Sequence, residues 1–71
     1  MKNEKQIVIE LYDNSTLGFH IAADRKSAET LFKSLANQNG LNPSKADIKN
    51  GYDSDGSYVV EILPLQRINE A

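Results

Sequence analysis

The chain has 71 residues and no cysteine, and its 8 basic and 10 acidic side chains leave a formal charge of −2. That excludes a disulfide or Cys/His zinc staple, so a domain that buries only about 60% of its unfolded surface must be held by regular packing alone. The basic residues are scattered, with only Arg25 and Lys26 adjacent, which argues against a phosphate-tracking surface and leaves a nucleic-acid-associated role as an alternative only.

Residues 1–5 are polar and charged after Met1 and lead straight into an amphipathic strand, not into an apolar signal-peptide core. No apolar run approaches the roughly 20 residues that a membrane span needs. We read one cytosolic domain over 1–71, with 1–5 and 65–71 as flexible ends.

Over residues 6–12, Ile7, Ile9 and Leu11 alternate with Val8, Glu10 and Tyr12, the period-two mark of a half-buried strand. Asp13, Asn14, Ser15 and Thr16 favour a turn, because their short polar side chains bond to nearby backbone. A second strand is expected over about 17–23, with Leu17, Phe19, Ile21 and Ala23 on one face. Pairing Leu11 with Phe19, Ile9 with Ile21 and Ile7 with Ala23 keeps the apolar set on one face, which we expect to be the core face. The same register sets Glu10 opposite His20 on the other face.

Asp24 suits a helix N-cap, since its carboxylate accepts from orphan amides and lies at the positive end of the helix dipole. Ala28, Leu31, Phe32, Leu35 and Ala36 follow at helical spacing, and Gly40 with Leu41 forms a left-handed C-terminal cap. Asn42 and Pro43 open either a short helical turn or a loop. We expect the loop, then a strand over about 47–52, a turn at Asp53, Ser54, Asp55 and Gly56, and a strand over 57–63 ended by Pro64. In that last strand Tyr58, Val60 and Ile62 share one face.

The segment 22–41 (AADRKSAETLFKSLANQNGL) resembles, without gaps, the helix of the immunoglobulin-binding domain of streptococcal protein G, and Tyr52, Asp53, Tyr58 and Val60 are similar to its final hairpin. The close part covers under a third of the chain. The resemblance implies a single β-grasp-like ββαββ domain of the α+β class, with one helix on a four-stranded mixed sheet whose two terminal strands run parallel at its centre. It also implies that Glu29, Lys33 and Asn37 occupy positions used to contact the immunoglobulin Fc region, and that Asn50 stands where the family's third strand carries a binding tryptophan. The family pattern turns Ala22 inward. Alternation favours Phe19, Ile21 and Ala23, and an irregularity such as a bulge before Asp24 would reconcile the two.

Chemistry is sparse. His20 facing Glu10 has the composition of an acid–base pair, but one helix on four strands offers little concavity to hold a substrate, so a cross-strand polar pair is the plainer expectation. Asp53, Ser54, Asp55, Gly56 and Ser57 resemble the opening of a calcium loop, yet the twelfth position from Asp53 is Pro64 where a glutamate should close it, which favours an ordinary hairpin turn. Glu29 and Lys33 at i,i+4 would support an exposed helix by roughly 0.2–0.5 kcal/mol with no partner at all.

With no nucleophile, metal cage or phosphate cradle in view, we expect a non-catalytic protein-binding module of inhibitor or adaptor type, without cofactor or metal. Immunoglobulin Fc binding is the runner-up. Two surfaces are candidates: the helix face bearing Glu29, Lys33 and Asn37, and the open sheet face bearing Val8, Tyr12, His20, Val59, Glu61 and Leu63. An apolar stripe of the latter kind marks a partner or a homodimer surface.

Overall fold

The computed structural model describes residues 5–65; the expected flexible ends lie outside these, apart from Lys5 and Leu65. The element order is β1 (Gln6–Tyr12), β2 (Ser15–Ala22), α1 (Arg25–Gln38), α2 (Lys45–Asn50), β3 (Tyr52–Asp55) and β4 (Tyr58–Pro64). The four strands form one sheet in the order β2-β1-β4-β3. This is the expected α+β domain with ββαββ order, a main helix packed on a four-stranded sheet.

The sheet is antiparallel throughout and not mixed, because β1 and β4 run in opposite directions. The connection after α1 explains why. Residues expected to form a strand over 47–52 instead fold as α2, which carries the chain back along α1. Arg25, the first residue of α1, donates from Nη2 to the Lys49 carbonyl at 2.6 Å and the Ile48 carbonyl at 3.4 Å. Gly51 is therefore at the end of the helix where α1 began, so β3 starts at the same end of the sheet at which β2 finishes, on the opposite edge, and β4 must oppose β1. The two hairpin turns meet at the other end of the sheet, where the Asp13 amide donates to the Ser57 carbonyl at 2.9 Å.

Both helices are ended by their own sequence. The Ser27 amide donates to the Asp24 carboxylate at 2.8 Å and holds its carboxyl below the usual range. At the other end Gly40 has φ 85°, which lets the Leu41 amide reach back to the Ala36 carbonyl at 2.9 Å while Leu41 is buried. Ser44 and Asp47 cap α2 reciprocally. Gly51 ends it at φ 71°, with so little room that a Cβ there would meet Ile62 at 3.0 Å and Arg25 at 3.1 Å.

The first hairpin differs in register from the expected one. Asp13 and Asn14 both take positive φ, 55° and 67°, and make a two-residue turn whose twist matches that of the flanking strands. A bulge at Leu17 then adds one residue to β2, so Ile9 pairs with Phe19, Ile7 with Ile21, Glu10 with Gly18 and Val8 with His20. The irregularity expected before Asp24 is not there, since pairing with β1 is regular from Gly18 to Ala22, and the one bulge lies at Leu17. From Gly18 onward the outcome is an apolar face shared by β1 and β2, as alternation required.

That face is not the one the helix covers. Val8, Ala22, Tyr58, Val60 and Ile62 form one core with Ala28, Phe32, Leu35, Ala36 and Leu41, while Phe19 and Ile21 point away from it. The expectation that Phe19, Ile21 and Ala23 turn inward is overturned: Ala22 is buried and Ala23 is exposed. The set of β1 that the helix covers, Gln6, Val8, Glu10 and Tyr12, is the more polar of the two, so periodicity separated the two sets correctly but pointed the wrong one at the core. With only one helical layer, the described residues form a slab 34 × 27 × 16 Å whose second sheet face stays open.

Candidate functional site

The outer face of the sheet is built from the odd-numbered residues of β1 and β4. Leu11 pairs with Val59, Ile9 with Glu61 and Ile7 with Leu63, and β2 adds Phe19 and Ile21 beside Ile9 and Ile7. A depression of about 410 Å³ opens there, lined by Ile7, Ile9, Thr16, Phe19, Ile21 and Leu65. Phe19 and Ile21 are 60% and 59% exposed. The largest exposed apolar patch on a monomer is often functional.

Of the residues expected on this face, the strand register places Val59, Glu61 and Leu63 there. It removes three others. Val8 faces α1 and is fully buried, because its cross-strand partner is Ile62. His20 pairs with Val8 and so points to the helix side, and Tyr12, opposite Tyr58, lies on that side too, past the end of the core and 59% exposed. Ile7, Ile9, Phe19 and Ile21 were missed because they were assigned to the core. One signal could have found them: the inward Ala22 of the helix resemblance.

Glu61 is the one carboxylate among these apolar neighbours, half-buried between Ile9 and Tyr52 on the flanking strands. On the helix side, Glu10 has both oxygens engaged. The Tyr58 hydroxyl donates to Oε2 at 2.6 Å and His20 Nε2 lies 3.2 Å from Oε1. Burial, and then the Glu10 carboxylate, push the Tyr58 phenol well above its ordinary range. Glu10 and Tyr58 are 8% and 5% exposed, so the cluster ties β2, β1 and β4 together and leaves little space beside the carboxylate for a reacting group.

Glu29, Lys33 and Asn37 lie on α1, but the expected pair between Glu29 and Lys33 does not form, because Glu29 turns back to Arg25. Glu29 is half-buried and accepts from Arg25 Nε at 3.1 Å, while Lys33 and Asn37 are exposed. Asn50 is the last residue of α2 and not part of a strand, which separates it from the strand position that the resemblance assigned to it. Asp53 and Asp55 belong to β3, with the turn at Gly56 and Ser57. Among the described residues no helix is long and apolar enough to cross a membrane.

These observations define a class: a two-layer α+β domain with one sheet face under a helix and the other apolar and, among the described residues, open. Compared with models of protein families, with curated proteins and with solved structures, the chain matches none.

Proposed function

We propose that this chain is a small cytosolic, non-catalytic protein-binding module of inhibitor or adaptor type, and that it recognises its partner through the outer face of the sheet. The observation that carries this is the apolar surface around Ile9, Phe19, Ile21, Val59 and Leu63, uncovered among the described residues and with Glu61 as their one carboxylate there. Apolar side chains of a partner would fill the depression, and a basic or N–H group would answer Glu61, whose desolvation would otherwise be costly. Fc binding, the alternative, rests on Glu29, Lys33 and Asn37 without the aromatic anchor that usually supplies roughly 2–4 kcal/mol of such an interface.

A photoreactive side chain placed in cells at position 63, and separately at position 33, tests this. The proposal expects a discrete protein adduct from position 63 that Val59→Glu abolishes while the far-UV spectrum stays unchanged. Adducts from position 33 alone, or an adduct from 63 that is indifferent to Val59→Glu, would count against it.

A further inference from the structure

The two edges of the sheet are built differently. β3 is four residues long and carries Asp53 and Asp55, two of the devices by which sheets prevent pairing with other chains. β2 is eight residues long, contains no proline and no Asp, Glu, Lys or Arg, and has no hydrogen-bonded neighbour beyond it among the described residues. Its one protective feature is the bulge at Leu17, which leaves 18–22 in regular pairing with β1.

Exposure on the outer face follows the same division. Ile7, flanked by Ile21 on one side and Leu63 on the other, is 5% exposed. Phe19 and Ile21, which have a strand on one side only, are 60% and 59% exposed, as is the bulged Leu17 at 58%. What Phe19 and Ile21 lack is a lateral neighbour, and a further strand beyond β2 supplies one while satisfying the free backbone groups of the edge.

We infer that β2 pairs antiparallel with the β2 strand of a second copy of this chain, about a two-fold axis near Phe19 and His20, to form a continuous eight-stranded sheet. Charge selects this occupant and this direction. Asp13 lies just before β2 and Lys26 just after it, both exposed. Antiparallel pairing brings Asp13 of each copy toward Lys26 of the other, whereas parallel pairing would set like charges side by side at both ends. Phe19 and Ile21 of one strand then meet apolar residues of its twin, and the strand's one ionisable side chain, His20, stays on the helix side against Glu10. Three side chains with on the order of 100 Å² exposed each bring the buried surface of two copies, backbone included, near the roughly 1,000 Å² at which specific interfaces begin. The dimer is thus weak and reversible.

Sedimentation velocity from 10 μM to 1 mM, each figure on the order of the range that such a small interface calls for, tests the pairing. A monomer–dimer equilibrium is expected, with Phe19→Lys raising its dissociation constant at least about tenfold and Lys26→Glu raising it several-fold; both act on exposed positions, so far-UV spectra should stay unchanged. Val59→Glu, the variant that reports on partner binding, should leave the dimer intact, which separates this inference from the proposed function. Because the chain lacks cysteine, Phe19→Cys or His20→Cys should give a disulfide-linked dimer on mild oxidation and Ser54→Cys in β3 should not. A strict monomer at the top concentration would overturn the inference. So would a dimer indifferent to Phe19→Lys and Lys26→Glu, a dimer broken by Val59→Glu, or cross-linking through position 54 in place of β2.

Discussion

Tyr58→Phe isolates the polar cluster that joins β2, β1 and β4. The substitution keeps the ring, which packs in the core, and deletes the hydroxyl that donates to Glu10 Oε2 at 2.6 Å. A hydrogen bond to a charged group contributes about 1.5–3 kcal/mol. Glu10 would keep His20 at 3.2 Å, whose side chain is 41% exposed and admits water to that side, so about 2 kcal/mol is the expected loss. For a domain of this size that is a Tm lower by about 8–16 °C.

The dependence on pH gives a second, sharper readout. The Tyr58 phenol is raised in the folded protein above its ordinary value of 10.0. Its contribution is therefore fully present below pH 10 and is lost as pH rises from there toward the folded value, because the unfolded chain releases the proton first. By pH 11 the wild type should have given up about 1.4 kcal/mol that the phenylalanine variant never had, narrowing the gap between them to under about 1 kcal/mol. Urea melts followed by circular dichroism at pH 7 and pH 11 measure both quantities. A loss below about 0.5 kcal/mol at neutral pH, or a gap that does not narrow in alkali, would refute the assignment of Tyr58 as the donor holding Glu10.

Phe32→Ala should cost about 3–5 kcal/mol, comparable to the whole stability of the domain, and leave the chain largely unfolded by circular dichroism. Gly51→Ala combines a left-handed backbone with contacts near 3 Å to Ile62 and Arg25, and should cost about 1–3 kcal/mol in urea melts. Arg25→Ala removes the clamp on the Ile48 and Lys49 carbonyls and should cost about 0.5–1.5 kcal/mol, with amide exchange accelerated in α2. Lys33→Ala, on the exposed helix face, should change stability by less than about 0.5 kcal/mol.

Helix α1 was legible because its signals are local and agree. Asp24, the Ala28, Phe32, Leu35 and Ala36 spacing, and Gly40 with Leu41 each report on a few adjacent residues, and the structure uses all of them. The final strand was legible for the same reason. Residues 45–50 were not, since KADIKN has no strong period and its helix depends on the Ser44–Asp47 cap and on Arg25 from 23 or more residues away in sequence. The parallel terminal strands were implied by the resemblance alone, and α2, by carrying the chain back along α1, makes them antiparallel instead. The outer face was only half read: Val59, Glu61 and Leu63 followed from β4 alone, but Val8 and Phe19 required knowing which face of β1 the helix covers, a long-range fact. The bulge at Leu17 hid the register further, because one extra residue exchanges every facing pair beyond it.

Recognition through the outer face requires that the helix cover the other one, and two substitutions decide which. Val8 is fully buried and Phe19 is 60% exposed, although alternation alone would have given them the opposite places. Urea melts of Val8→Ser and Phe19→Ser, each compared with the wild type, should show a loss of at least about 2 kcal/mol for the first and less than about 1 kcal/mol for the second. A near-neutral Val8→Ser beside an unfolded Phe19→Ser would place the helix on the face described here as open.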